Sequence, residues 1–317
     1  MRRFMALLLA LMMTSAAALG EEFVVTGEDN ENLFEEDDLV PVTTEAPAAK
    51  LEPIPWDVKI SPNEPNAACY SEDDMSYHDD SIDVQITTFR HENGTLVYAM
   101  TITLTDVSQF RVGTAGNREP YKSTALVATL SKRFHAVCAI NDDYFGYHTE
   151  GVVVRNGETI RVRPVKMRDE LIVDTNGDFH IITGTTKEKW EAFEGTVLHA
   201  FCFGPALVID GKMNENVVNT RMNVGKNKKT QRIAIGQIGP LQYLVLACDG
   251  PENEKNAGLT LAEMAQLCEE QGMINGYNLD GGSSSTIVMN NRKINGVGSK
   301  KRAVGGCIWF ATLVPNE

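Results

Sequence analysis

The chain has 317 residues, is 43% hydrophobic and 23% charged, and carries a formal net charge of −14. That balance excludes a nucleic-acid binder built on a basic stripe, and the apolar run from Phe4 to Met13 is shorter than the roughly 20 residues that cross a membrane. The acidity is unevenly placed: nineteen acidic residues lie between Glu21 and Asp83, against Lys50 and Lys59.

From the N-terminus, Arg2 and Arg3 precede the apolar run, and Ala18-Leu19-Gly20 closes it in a small-x-small pattern. Residues 1–20 therefore read as a signal peptide, so the mature chain is expected to be exported, with no stable membrane span after cleavage. Residues 21–55 are acidic, carry prolines and hold few apolar side chains, the composition of a disordered spacer. Residues 56–83 form a poorly defined lead-in. Residues 84–317 are long enough to bury a substantial core as a single large domain.

Within that domain, Leu96, Tyr98, Met100, Ile102 and Leu104 alternate with smaller residues, which predicts a half-buried strand. Thr124 to Phe134 carries apolar residues at helical spacing, and a strand over Ala136 to Ile140 delivers Asn141-Asp142-Asp143-Tyr144-Phe145. Short strands follow at Gly151 to Arg155, Leu171 to Asp174 and Phe179 to Thr183. An apolar stretch then runs from Val197 to Ile209 around Gly204-Pro205 and ends on Asp210-Gly211. After a basic loop at Lys226 to Lys229, Arg232 to Gln237 and Leu241 to Cys248 pair as a hairpin across Gly239-Pro240. Leu261 to Gln271 is the strongest helix, with Thr260 and Glu263 as a capping box and Gly272 after its end. The expected class is α+β: mixed, largely antiparallel sheets with a few packed helices. There is no Rossmann glycine fingerprint.

Six cysteines in an exported chain permit disulfides. Cys138, Cys202, Cys248 and Cys307 each sit inside an apolar run, however, and buried free thiols are the favoured reading. The histidines show no metal-binding spacing. A transition-metal site is not expected and no cofactor is required, while a divalent cation such as calcium on Asp142, Asp143 or Asp280 stays open.

Three polar clusters end apolar runs: Asn141-Asp142-Asp143, Asp249-Gly250 and Asn278-Leu279-Asp280-Gly281-Gly282-Ser283-Ser284-Ser285-Thr286. Side chains at strand ends are held at the rim of a sheet, where sites are commonly built. Glycines allow close ligand approach, and hydroxyls with free N–H groups suit phosphate or sugar oxygens. The bland alternatives are ordinary turns and, for the last segment, a linker.

These motifs resemble the phosphodiester glycosidase family. The similarity runs from about Val97 to Phe310 in order: Asn141 to Phe145, Phe203 to Gly211, Arg232 to Gly236, Asp249-Gly250, Gly258 to Ala265, Asn278 to Ser285, and Arg302-Ala303-Val304. Asp142, Asp143 and Ser283 stand where the family pattern has glycine, which implies an altered cleft and substrate choice. The resemblance implies an exported hydrolase cleaving sugar-1-phosphodiesters of glycans or envelope polymers through an oxocarbenium-like state. The residue types then give catalysis to Asp280 and Asp249 as general base or nucleophile, with Asp143 as an extra acid. Substrate binding is assigned to Asn141, Arg232, Gly281, Gly282, Ser283, Ser284 and Arg302, with the two arginines clamping the phosphate. Two alternatives remain open: a non-catalytic glycan-binding or exopolysaccharide-assembly protein on the same fold, and a phosphodiesterase cutting the P–O bond.

Overall fold

A computed structural model describes residues 51–116, 121–218, 225, 227–251, 256–296 and 301–315. The signal peptide and most of the acidic spacer lie outside the described residues. In chain order the strands are β1 (Ser76–His78), β2 (Ile82–Arg90), β3 (Leu96–Leu104) and β4 (Phe110–Thr114). After helix α1 (Val127–Phe134) come β5 (Cys138–Asn141), β6 (Gly151–Arg155), β7 (Glu158–Arg163), β8 (Glu170–Asp174) and β9 (Phe179–Ile182). Helix α2 (Lys187–Glu191) leads to β10 (Val197–Phe201), β11 (Ala206–Ile209), β12 (Lys212–Met213), β13 (Arg232–Gly239) and β14 (Gln242–Cys248). Helix α3 (Leu261–Glu270) precedes β15 (Asn275–Asn278), β16 (Ile287–Met289), β17 (Arg292–Lys293) and β18 (Gly306–Phe310).

The strands form three sheets, of order β1-β2-β3-β14-β13-β15-β11-β12, β7-β6-β10-β8-β9 and β17-β16-β5-β18-β4. The fold is α+β, with antiparallel pairing in the large sheet: Val97 lies opposite Cys248, Arg232 opposite Cys248 on its other side, and Ala234 opposite Asn278. The alternation in β2, with Ile82, Val84 and Ile86 buried and Asp83, Gln85 and Thr87 exposed, puts its apolar side chains on one face. Phe110 of β4 meets Phe179 of β9, Tyr243 of β14 and Phe310 of β18 at ring-centroid distances of 6.0, 5.1 and 5.0 Å. These edge-on contacts join all three sheets, each pair worth about 0.5–1.5 kcal/mol beyond its area.

Helix α3 starts where expected. The Thr260 hydroxyl accepts from the Glu263 N–H at 3.2 Å while the Glu263 carboxylate accepts from the Thr260 N–H at 2.7 Å. The helix buries Leu261, Met264, Leu267 and Cys268 against the large sheet. Helix α1 starts later than its periodicity suggests, because Ala125 pairs as a β-bridge with Val304 and holds the approach extended.

Residues 51–83 belong to the same compact unit as the rest of the described chain. Ile54 is buried, and the fully buried Arg111 donates to the carbonyls of Ile54, Pro55, Trp56 and Val58 while stacking on Trp56. Arg111, together with the Ser108 hydroxyl that accepts from the Ile54 N–H at 2.9 Å and the apolar cluster around Ile54, thus ties down residues 54–58. All six cysteines are free, and Cys138, Cys202, Cys248, Cys268 and Cys307 are buried.

Candidate active site

The register of the large sheet brings two of the polar strand ends to one edge. β13 pairs with β14 on one side and β15 on the other, so Asp249 and Asp280 emerge beside its first residue. Gln231 lies between the two turns: a Cβ added at Gly250 would meet its side chain at 2.4 Å, and one at Gly281 its carbonyl at 2.9 Å. The contact at Gly281 is with backbone, so the absence of a side chain there is a packing requirement, whereas at Gly250 the Gln231 side chain could turn aside. Gly282, at φ 61°, donates its N–H to the same carbonyl, and Gly282–Ser284 forms a 3-10 turn. The Gly-Gly-Ser segment is an ordered wall of the site, not a linker.

The third strand end comes from another sheet. Asn141, at the end of β5, is buried; its Nδ2 donates to the Asp280 carbonyl at 2.8 Å and its Oδ1 accepts from the Thr286 N–H at 3.0 Å. One amide thus clasps both ends of the segment from Asp280 to Thr286. Asp142 accepts from the Tyr144 N–H at 3.3 Å, and its other oxygen is buried without a partner. A Cβ on Gly306 would come within 2.4 Å of that oxygen, so β18 closes over it. Burial, and secondly the neighbouring Asp143, push the Asp142 carboxyl up to about 7.

Asp143 is used differently. One oxygen takes the Arg155 guanidinium at 2.7 Å and the other accepts the Cys202 N–H at 2.9 Å, all buried. Arg155 also donates to the Val154 and Ala200 carbonyls and lies over the Phe201 ring at 4.5 Å. Sequence reasoning missed Arg155, along with the cluster around it. Glu170 is fully buried, accepts from the Val152 N–H, and is held well above the usual carboxyl range by burial. Arg168 donates to the Cys202 and Phe203 carbonyls and lies 3.3 Å from His148 Nδ1. Because the guanidinium only donates, Nδ1 is the acceptor and Nε2 carries the proton. That Nε2 is buried without a partner, and burial, then Arg168, lower the imidazole's affinity for a second proton.

Asp280 itself is mostly buried, and one of its oxygens has no hydrogen-bond partner. Burial raises its pKa; the Ser284 hydroxyl, near but outside hydrogen-bond geometry, and Arg302 oppose the rise. Ser283 is half-buried in the 3-10 turn and Ser284 fully buried. Arg302 is exposed, lies over the Tyr144 ring at 5.3 Å, and forms no salt bridge among the described residues. Tyr144, at φ 62°, stacks on Tyr147 with ring centroids 4.3 Å apart. A non-glycine residue in the left-handed region costs about 1–3 kcal/mol.

Asp143, expected as a catalytic acid, is thus held in a buried ion pair, and Arg232 is also placed otherwise, whereas Asp249 stays at the edge beside Asp280. Arg232 turns its guanidinium into the protein, where it donates to the carbonyls of Leu259, Gly225 and Lys228. It anchors loops instead of opening toward a ligand, which corrects its reading as a phosphate clamp. Asp249 is buried at the end of β14, near Tyr98, whose phenol is raised by burial and then by Asp249. Among the described residues, no group of three or more His, Cys, Asp or Glu side chains is placed to hold a metal ion.

The protonated state of Asp142 has a consequence for stability. The unfolded chain releases this proton near 3.8, whereas the native chain keeps it to about 7. Between those values the native state binds more protons, so stability falls as pH rises from about 4 to about 7 and levels off above. Asp142→Asn imitates the neutral carboxyl and should flatten part of that fall when urea midpoints are compared at pH 5 and pH 8. An unchanged slope would show that Asp142 ionises normally.

Against known sequences, the phosphodiester glycosidase family model matches residues 134–311. The chain is 32% identical over 99 residues to the SPbeta prophage-derived uncharacterized protein YomE of Bacillus subtilis strain 168, covering 31% of this chain and 15% of that protein. It is 38% identical over 64 residues to N-acetylglucosamine-1-phosphodiester alpha-N-acetylglucosaminidase of Mus musculus, covering 20% of this chain and 12% of the mouse protein. Both matches therefore span small parts of longer relatives. Among solved structures, the zebrafish N-acetylglucosamine-1-phosphodiester alpha-N-acetylglucosaminidase catalytic domain, auto-inhibited by its pro-peptide, superposes with TM-score 0.58 at 19% identity, covering 74% of this chain and 85% of that one. A hypothetical protein from Synechocystis gives 0.51 at 17% identity over 72% of this chain and 62% of that one. These two establish likeness of fold. Among the described residues, no helix is long and apolar enough to cross a membrane.

Proposed function

The chain belongs to the phosphodiester glycosidase family, and from that premise we propose that it hydrolyses sugar-1-phosphodiesters at the anomeric carbon. The observation that carries this reading is the Asp280 carboxylate, which keeps a partnerless oxygen in a segment clasped by Asn141, with the exposed guanidinium of Arg302 lying over Tyr144, three residues beyond Asn141. Asp280 acts at the anomeric centre as base or nucleophile, and Asp249, across Gln231, is the second carboxylate at the same edge. Arg302 takes the phosphodiester. A phosphodiester leaves as a stabilised anion, so a guanidinium that neutralises it serves the departing group better than a strong acid. Gly281, Gly282, Ser283 and Ser284 shape the sugar pocket.

Asn141 and Asp143 support this centre without touching the reaction: Asn141 fixes the Asp280 backbone, and Asp143 holds Arg155 and the Cys202 amide. The N-terminal basic, apolar and small-residue pattern supports export, and with it glycans or envelope polymers as the substrate class.

The test is turnover of a panel of sugar-1-phosphodiesters by the wild-type protein and Arg302→Lys. Lysine keeps the charge but loses the planar fork, so kcat/KM on phosphodiesters should fall roughly 10- to 100-fold, equivalent to one charge-assisted hydrogen bond. An aryl glycoside of the same sugar, having no phosphate, should be cleaved nearly as before. Equal loss on both would remove Arg302 from the phosphate; binding without turnover of any substrate would favour a glycan-binding protein.

A further inference from the structure

A cavity of about 430 Å³ opens beside the proposed site, lined by Arg292, Lys293, Lys301, Arg302, Thr286 and the N-terminus of α1. Three features give it one electrostatic sign. Four cationic side chains line it, and none of its described lining residues is acidic. Arg292 is partly compensated from outside by Asp74 at 2.6 Å, while Lys301 and Arg302 are exposed. The start of α1 adds its own field. The N-cap residue Leu126 has no side chain able to accept from the first turn, no acidic residue lies in that turn, and Leu126, Val127 and Ala128 all line the cavity. Uncapped N–H groups at a helix start attract anions. The cavity is also continuous with the proposed centre, because Arg302 lines it and Thr286 joins it to Asn141 through its N–H.

We propose that this cavity is a second anion subsite that receives another phosphate of the same substrate. The preferred substrate is then a polyanion, sugars carrying or joined by more than one phosphate, and not an isolated sugar-1-phosphodiester. This rests on the hydrolase reading above. Cations far from the scissile bond contribute binding energy only when the substrate brings a second charge to them, which makes the prediction selective.

The experiment compares two substrates with one sugar, differing by a second phosphate on the aglycone, using the full chain and two variants. Lys301→Gln removes an exposed charge. Leu126→Asp supplies the missing N-cap acceptor, which favours α1, and at the same time places a negative charge in the cavity. The wild type should prefer the two-phosphate substrate. Each variant should lower kcat/KM on it by roughly three- to tenfold, the scale of one partly screened charge, and leave the one-phosphate substrate within about twofold. An unchanged or raised melting temperature of Leu126→Asp with this selective loss supports the subsite. Equal effects on both substrates, or no effect, overturn it. Binding of inorganic pyrophosphate by calorimetry separates this from failure of the hydrolase reading. If neither substrate turns over, pyrophosphate binding that Leu126→Asp weakens still supports an anion site in this cavity, and absence of binding overturns it.

Discussion

Asp280→Asn is expected to lower kcat by roughly 10²- to 10⁴-fold on sugar-1-phosphodiesters, the span associated with a positioned acid–base group. Asparagine keeps the shape, so the Asn141 contact to the backbone carbonyl of residue 280 survives. The variant should fold as well as the parent or better, because burial disfavours the Asp280 charge it removes. Loss of turnover with an unchanged melting temperature would separate chemistry from folding. Near-normal kcat would remove Asp280 from the reaction and leave Asp249 as the carboxylate to test.

Arg155→Met is expected to cost about 3–5 kcal/mol of stability, the usual result of stripping one partner from a buried ion pair. Asp143 is fully buried, and the guanidinium is the only cation hydrogen-bonded to it at 2.7 Å among the described residues. Methionine fills similar volume between Phe145 and Phe201, where the guanidinium now sits at 5.0 and 4.5 Å, so the loss is electrostatic and not a cavity effect. The double variant Arg155→Met/Asp143→Asn should recover much of the stability in urea unfolding, since it leaves no uncompensated charge. A double variant as unstable as the single would show that Arg155 matters for its contacts with the Val154 and Ala200 carbonyls instead.

The parts of this structure legible in the sequence are those set by local chemistry. β3 follows from the alternation of large and small residues, although Val97 to Met100 are buried on both faces and only its second half is half-buried; the β13–β14 hairpin follows from two apolar runs around Gly239-Pro240, and the start of α3 from the Thr260–Glu263 pair. The meeting of Asn141 with Asp280 is different in kind. Those residues lie in separate sheets, 139 positions apart, and only shared character at strand ends hints that they converge. Arg232 shows the limit of that hint. An arginine opening a strand beside two carboxylate ends resembles a clamp, but the pleat turns it inward, where loop carbonyls satisfy it. Arg155 and Glu170 do carry a usable signal. Each abuts an unbroken apolar strand, Val152 to Val154 and Leu171 to Val173, buried throughout. A charge attached to such a strand must find a partner inside the protein. Residues 51–58 are unreadable for the opposite reason, because what orders them is distant in sequence: Arg111 on their carbonyls, the Ser108 hydroxyl on the Ile54 N–H, and the apolar cluster that buries Ile54.

In the proposed reaction, water replaces the phosphodiester at the anomeric carbon. Hydrolysing a sugar-1-phosphodiester in water enriched in oxygen-18 and reading both products by mass spectrometry tests it directly. Label in the sugar's anomeric hydroxyl, with unlabelled phosphate, is the predicted result, since the C–O bond breaks and the phosphate keeps its bridging oxygen. Label in the phosphate would mean P–O cleavage, making the protein a phosphodiesterase and contradicting a role for Asp280 at the anomeric centre.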